Sequence, residues 1–154
     1  MKYTGEPMYA PQLAPPVLRC RFCASVPAVD GGFQAVQNIT VWIRVRTVQG
    51  PFCRDCGTAV FRHMQQQTLM LGWYGILAPF AALALLLNLL RSDKVHALPA
   101  PGPAPDGGSR RPMDAGKPLY ARPKAVIGFI LPIVLLVALI AIAVVTGDAG
   151  PPPS

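Results

Sequence analysis

The sequence predicts a small β-rich module followed by two long α-helices, with proline-rich and glycine-rich segments outside these elements. Three observations lead to this fold class. The four cysteines form two C-x-x-C pairs, residues 38–48 alternate between apolar and polar side chains, and two apolar runs at 69–90 and 125–145 contain no charged residue. The chain is 52% hydrophobic and 14% charged, whereas charged residues make up about 25% of soluble domains. The two runs account for this excess and predict two membrane-inserted α-helices.

The first 17 residues are predicted to form a disordered tail. Prolines at 7, 11, 15 and 16 oppose a helix, and no apolar core of a secretory signal precedes the cysteines. We therefore expect the cysteine module to lie in the cytoplasm, where paired cysteines are metal ligands more often than disulfides.

Cys20, Cys23, Cys53 and Cys56 are the predicted ligands of one structural Zn²⁺ ion. Two C-x-x-C pairs supply the four thiolates of a tetrahedral site, and four thiolates leave no open position for catalysis. The predicted zinc-ribbon module, residues 18–62, is too short to be stable without such a staple. A thioredoxin-like redox pair is the alternative, although the βαβ context that it needs is missing. His63 or His96 could replace a cysteine, but both are expected to be surface residues.

A β-hairpin is predicted to fill the space between the two pairs. Residues 39, 41, 43 and 45 are apolar and are expected to form one buried face of a strand. Residues 33–37 should pair with this strand through a turn near Gln37-Asn38, and residues 58–61 should form a short exit strand. Gly57, which follows the second pair, is expected to take a left-handed backbone conformation. Ala24 occupies the equivalent position after the first pair, where we expect some backbone strain.

Residues 63–90 are predicted to form one helix that includes the first membrane segment. The apolar part, about 33 Å long at 1.5 Å per residue, matches the bilayer core. Trp73 and Tyr74 would lie at its interface, and Asn88 would bond across helices or cap the end of the run. Residues 91–124 are predicted to be a disordered linker, 125–146 a transmembrane helix and 147–154 a tail.

The distribution of basic residues leaves two topologies open. Seven Lys and Arg precede residue 69, seven lie in the linker and none follows Lys124. Two spanning helices would place the basic linker outside, against the positive-inside bias. If the first run instead enters the membrane and returns, all basic residues lie in the cytoplasm.

A basic and aromatic surface on the module is the predicted contact face. The chain has a net charge of +7 and a pI of about 9.7. Arginines among aromatic side chains could contact anionic headgroups, a protein partner or, less readily, nucleic acid, and could equally be a solvated strand face. The residues concerned are Trp42, Arg44, Arg46, Arg21 and Arg54.

Several short stretches of the sequence together resemble those of a family of uncharacterised bacterial membrane proteins. The stretches that carry the resemblance are C-R-F-C at 20–23, V-P-A at 26–28, G-P-F-C-R-D-C-G at 50–57, V-F-R at 60–62, T-L at 68–69 and G-W-Y-G at 72–75. The resemblance covers about residues 17–92 and implies an amino-terminal zinc ribbon followed by a hydrophobic segment. Ala24 and Tyr74 depart from the family pattern, and neither removes a ligand. The family implies no established activity.

The sequence contains none of the motifs expected of an enzyme, such as paired carboxylates, a Ser-His-Asp set, a phosphate-binding loop or H-E-x-x-H. We therefore expect a non-enzymatic zinc-ribbon adaptor that is integral to the cell membrane and binds a protein partner or the inner leaflet. The alternatives are a membrane-tethered nucleic-acid binder and a thiol redox protein.

Overall fold

A computed structural model describes residues 17–104 and 106–147, so the two predicted tails lie almost entirely outside the described residues. The sheet has the strand order β2-β1-β3. In chain order the elements are β1 (Val29–Thr40), β2 (Trp42–Phe52), α1 (Arg54–Leu71), β3 (Tyr74–Gly75), α2 (Ala78–His96) and α3 (Pro123–Gly147), with a 3-10 turn at Leu119–Ala121 before α3.

The predicted β-hairpin is present, but its turn lies farther along the chain than expected. β1 and β2 are antiparallel, with a register running from Val29–Phe52 to Ile39–Trp42. The chain reverses at Thr40, which has φ 58, and not at Gln37-Asn38. The helices cover β1 as far as Asn38, which is fully buried, but leave the edge strand β2 uncovered, so Ile43, the direct partner of Asn38, is exposed. The alternating apolar residues at 39, 41, 43 and 45 are all exposed, and the prediction that they form a buried face is wrong.

The base of the hairpin carries the core of the module. Phe33 and Phe52 are fully buried, with ring centroids 5.9 Å apart, and Phe61 of α1 packs its edge on Phe33 at 5.7 Å. Met64 of α1 and Val95 of α2 complete this cluster. The core thus joins one face of the sheet to both helices.

Two predictions for the middle of the chain are wrong. Residues 58–61 belong to α1 and not to an exit strand, and the predicted single helix over 63–90 is two helices. The break falls at the Gly72–Gly75 stretch, and Pro79 lies in the first turn of α2, where the missing N–H does no harm. A Cβ on Gly57 would overlap Val95, and one on Gly72 would lie 2.7 Å from Ala81 Cβ. The two helices therefore run antiparallel and in close contact.

The outer edge of β1 is covered by the two helices. Asn88 Oδ1 accepts a hydrogen bond from the Gln34 N–H at 2.9 Å, and Asn88 Nδ2 donates to the Gln34 carbonyl at 2.6 Å. Thr68 Oγ1 accepts from the Val36 N–H at 3.0 Å, and β3 pairs with the end of β1. Asn88 Nδ2 also lies 3.3 Å from Gln65 Oε1 of α1, so the prediction of a bond across helices is confirmed, whereas the prediction that Asn88 caps its run is wrong.

α3 is the one helix in the described part of the chain that is long and apolar enough to cross a membrane. The expectation of two such helices is therefore not met, since α1 and α2 divide the first run. The first turns of α3 pack closely on the end of α1. A Cβ on Gly128 would lie 2.6 Å from the Leu69 carbonyl oxygen, so only glycine permits this approach. The rest of α3 projects beyond the module with its apolar side chains exposed.

The prediction that residues 91–124 form a disordered linker is wrong for the residues of this segment that the structure describes. Residues 91–96 are the last turns of α2, and the following segment returns to the module. Gly102 forms an antiparallel bridge with Val26, and the Arg110 N–H donates to the Cys23 carbonyl at 2.7 Å. The Arg62 guanidinium donates to the carbonyls of Ala115 and Gly116. We call residues 102–104 and 106–116 the strap.

Candidate metal centre

The first cysteine pair lies in a tight turn before β1. The Ala24 N–H donates to the Cys20 carbonyl at 2.8 Å, and the Cys20 N–H donates to the Ser25 carbonyl at 3.0 Å. Ala24 closes the turn with φ 59, a left-handed conformation that glycine adopts more easily. The expectation of strain at Ala24 is confirmed.

The second pair lies at the amino end of α1. Cys53 is the N-cap residue, Cys56 lies in the first turn, and the Gly57 N–H donates to the Cys53 carbonyl at 2.9 Å. Gly57 is therefore helical, and the prediction of a left-handed residue here is wrong. The partial positive charge at the start of a helix favours thiolates at these positions.

The fold brings all four cysteines together. Their sulfur atoms lie within 4.8 Å of one another, and the Cys23 Sγ is 3.5 Å from that of Cys53 and 3.6 Å from that of Cys56. Each cysteine is at most 3% exposed and none is in a disulfide. The Met113 N–H of the strap donates to Cys56 Sγ at 3.3 Å. This cluster could bind a metal ion.

The surroundings of the sulfurs shift their pKa values in opposite directions. Burial opposes ionisation of Cys20, but hydrogen bonds from the backbone of Cys53, Cys23 and Phe22 outweigh it and lower its pKa to about 7. Burial raises the pKa of Cys53 to about 12 and also raises the pKa of Cys56, and the sulfurs of Cys20 and Cys23 add to both shifts. A cation at the centre would offset the burial of several thiolates at once.

The first pair is fixed to the base of the hairpin. Phe22 stacks on Phe52 with ring centroids 5.9 Å apart. The Arg21 N–H donates to the Pro51 carbonyl at 2.8 Å, and the Arg21 side chain donates to the Gln49 carbonyl. Arg19 pairs with Asp106 of the strap. These contacts close the cluster on the side opposite α1.

The predicted contact face is divided by the structure. Arg21 and Arg54 lie beside the cysteines, whereas Trp42, Arg44 and Arg46 lie at the far end of β2. Ten residues of strand separate Trp42 from Phe52, which is about 34 Å. The five residues are therefore spread along the hairpin, and their role in a contact stays a prediction.

Neither histidine joins the cluster, as the sequence predicted. His63 Nε2 lies 3.0 Å from Gln67 Nε2 on α1, and the His96 ring packs edge-on against Phe61 at 6.1 Å. Within the described residues, the group that could hold a metal ion contains the four cysteines alone. The hydrogen bond from the Met113 N–H to Cys56 Sγ was not predicted, because any residue type except proline can supply a backbone donor and this one is 57 residues away in the chain.

No protein-family model, curated protein or solved structure matches this chain. The clustered cysteines and the one apolar helix fit a zinc-ribbon-like membrane protein. The resemblance to a family therefore rests on the residues themselves.

Proposed function

We propose that this protein is a non-enzymatic, membrane-anchored zinc protein that acts as an adaptor for a protein partner or the membrane surface. The observation that carries the proposal is the closeness of four buried sulfurs at one end of a module that continues into an exposed apolar helix.

Zinc is the metal that suits this donor set best. Tetrahedral Zn²⁺ with Zn–S distances of 2.3 Å requires sulfurs about 3.8 Å apart; here the Cys23 sulfur lies 3.5 and 3.6 Å from those of Cys53 and Cys56, and all four sulfurs lie within 4.8 Å of one another. Cys20, Cys23, Cys53 and Cys56 would hold the ion, which would supply folding energy. All four ligands are protein sulfurs, so a structural role is favoured over catalysis.

The anchor would be α3. Its exposed side chains from Ile127 to Val145 are apolar, and Arg122 and Lys124 precede this apolar run. All fourteen Lys and Arg lie on the amino-terminal side of the apolar run 125–145, which supports a cytoplasmic module and the cell membrane as its location. The arginines and Trp42 of the hairpin would provide the contact with the partner or the leaflet.

The test is purification of the full chain in mild detergent, followed by metal analysis and thiol titration with and without a chelator. We expect one zinc per chain and four thiols that react only after chelation. Cys53→Ser should lose the zinc. Asp55→Ser, which alters the same helical turn and keeps every sulfur, should retain it.

Metal-free protein that remains folded would contradict the zinc centre, and oxidised cysteines would favour the redox alternative. Proteins that co-purify with the wild type identify the partner. Salt-sensitive binding of nucleic acid by the full chain would favour the tethered nucleic-acid binder instead.

A further inference from the structure

The end of the module farthest from the cysteines exposes an unusual number of large apolar side chains. Val41 is 75% exposed, and Trp42 and Ile76 are each 78% exposed. These side chains come from the tip of the hairpin, from the connection between α1 and α2, and from the first turn of α2. We call this group the apolar end; its members are Ile39, Val41, Trp42, Ile43, Ile76 and Phe80.

The connection between α1 and α2, which carries part of the apolar end, contacts α3 through Trp73. Trp73 lines a small apolar cavity with residues 129, 132, 133 and 136 of α3, and the adjacent Tyr74 pairs with Ile39 of the hairpin. Two adjacent residues, Trp73 and Tyr74, therefore contact α3 and the hairpin tip respectively. If α3 crosses a bilayer, the tip is at the depth of the apolar part of that helix.

Four elements each carry a basic residue at a similar length along the element from a residue in or near the apolar end. Arg46 is four strand residues from Trp42, about 14 Å. Arg62 is ten helical residues from Gly72, Arg91 is eleven from Phe80, and Lys124 is nine from Ile133 in the contact with Trp73, which gives about 14–17 Å each. We call Arg46, Arg62, Arg91 and Lys124 the basic belt.

Between the belt and the apolar end the chain is almost free of charge. Apart from His63, residues 33–45, 63–90 and 125–145 contain one ionisable Asp, Glu, Lys or Arg side chain, that of Arg44. Arg44 is exposed and close to the belt, so its long side chain can place the guanidinium at the level of the headgroups.

Much of the backbone of the apolar end is paired, which matters because an unpaired N–H or carbonyl is costly in hydrocarbon; the outer edge of β2 is the part that no described strand covers. β1 and β2 remain paired up to Ile39 and Trp42. The Ile76 N–H donates to the Thr40 carbonyl at 3.2 Å, and the Phe80 N–H donates to the Leu77 carbonyl at 3.0 Å. The connection between the helices is thus tied to the hairpin.

We propose that the apolar end is embedded in the lipid bilayer beside α3, with the basic belt at the anionic headgroups of the same leaflet. This inference rests on the proposed function, because it requires α3 to cross the membrane. The occupant is lipid because α3 exposes apolar side chains at this level and the belt complements anionic headgroups. The module is then held to the leaflet at two places, and all basic residues remain on one side.

The test uses the two tryptophans of the chain, in full-length protein reconstituted into phosphatidylcholine–phosphatidylglycerol vesicles. Trp73→Phe leaves Trp42 as the single fluorophore. We expect lipids with a nitroxide in the middle of the acyl chain to quench Trp42 strongly, and aqueous iodide to quench it at least about threefold less than a water-exposed tryptophan.

Two control proteins lack both native tryptophans. Leu139→Trp reports on α3, and Gln49→Trp reports on the exposed base of the hairpin. Retained zinc shows that each variant is folded, and Trp73→Tyr replaces Trp73→Phe if that variant loses its metal.

The outcomes separate the two proposals. If Leu139→Trp is quenched by lipid while iodide reaches Trp42 as readily as the Gln49→Trp residue, the anchor stands and the embedded end is wrong. If Trp42 is shielded from both quenchers, a second protein copy covers the tip, and the embedded end is again wrong. If iodide reaches the Leu139→Trp residue, both the anchor and the embedded end fail.

Discussion

Asn88 of α2 takes the place of a neighbouring strand for Gln34 of β1, with its amide accepting from the Gln34 N–H and donating to the Gln34 carbonyl. An open strand edge exposes unpaired backbone groups that can pair with other chains. Here the Asn88 side chain hydrogen-bonds the backbone of Gln34, and the Thr68 hydroxyl accepts from the Val36 N–H. β3 pairs with the last two residues of β1. The helical hairpin therefore completes the sheet without contributing a long strand.

Asn88→Ala should destabilise the module by about 2–4 kcal/mol, because two buried backbone groups of Gln34 lose their partners. Thermal unfolding in detergent measures this change. Leu89→Ala, on the exposed face of the same helix, should have little effect. Equal stability of the two variants would show that water replaces the amide.

Met113→Pro should accelerate the loss of zinc to a chelator, because proline has no N–H to donate to Cys56 Sγ. Met113→Ala keeps the N–H and should release zinc at the rate of the wild type. Release is followed with a colorimetric zinc indicator. If both variants behave like the wild type, the strap does not protect the centre.

Gly57→Ala should destabilise the module by about 1–3 kcal/mol, since its Cβ would overlap Val95. Adding Val95→Ala should restore part of this loss, giving a favourable coupling in a double-mutant cycle. The midpoint of thermal unfolding measures each variant. Independent, additive effects would mean that α1 and α2 are not in contact here.

Gly128→Val should separate α3 from the end of α1, because no side chain fits against the Leu69 carbonyl. In a Trp42→Phe background, Trp73 fluorescence in detergent should shift to longer wavelength as the indole loses its contact with α3. Ala138→Val, on the projecting part of the helix, is the matched control. An unchanged spectrum for Gly128→Val would contradict this packing.

Ala24→Gly should stabilise the metal-loaded module by up to about 1 kcal/mol, because the left-handed conformation at φ 59 strains alanine but not glycine. Part of the gain is offset by the greater freedom of glycine in the unfolded chain. Chemical denaturation at saturating zinc measures the difference. A clear loss of stability would show that the turn relaxes around alanine.

The local patterns of the sequence predicted the parts of the fold that depend on neighbours along the chain. The spacing of the cysteines indicated one shared site, the alternation over 38–48 indicated a hairpin, and 125–146 lies within the observed helix Pro123–Gly147. The break between α1 and α2 was not predicted, although Gly72, Gly75 and Pro79 lie there. An unbroken apolar composition is compatible with one long helix or with two.

The sequence by itself determined the sulfur ligands available, the absence of charge from the apolar runs and the placement of every basic residue before the apolar run 125–145. Only the tertiary structure decided that Cys53 and Cys56 begin a helix, that Asn88 completes a strand and that the tip of the hairpin is exposed beside α3. The physical reason is that residue type and spacing set what each segment can form. Contacts between residues far apart in the chain determine which of those structures each segment adopts.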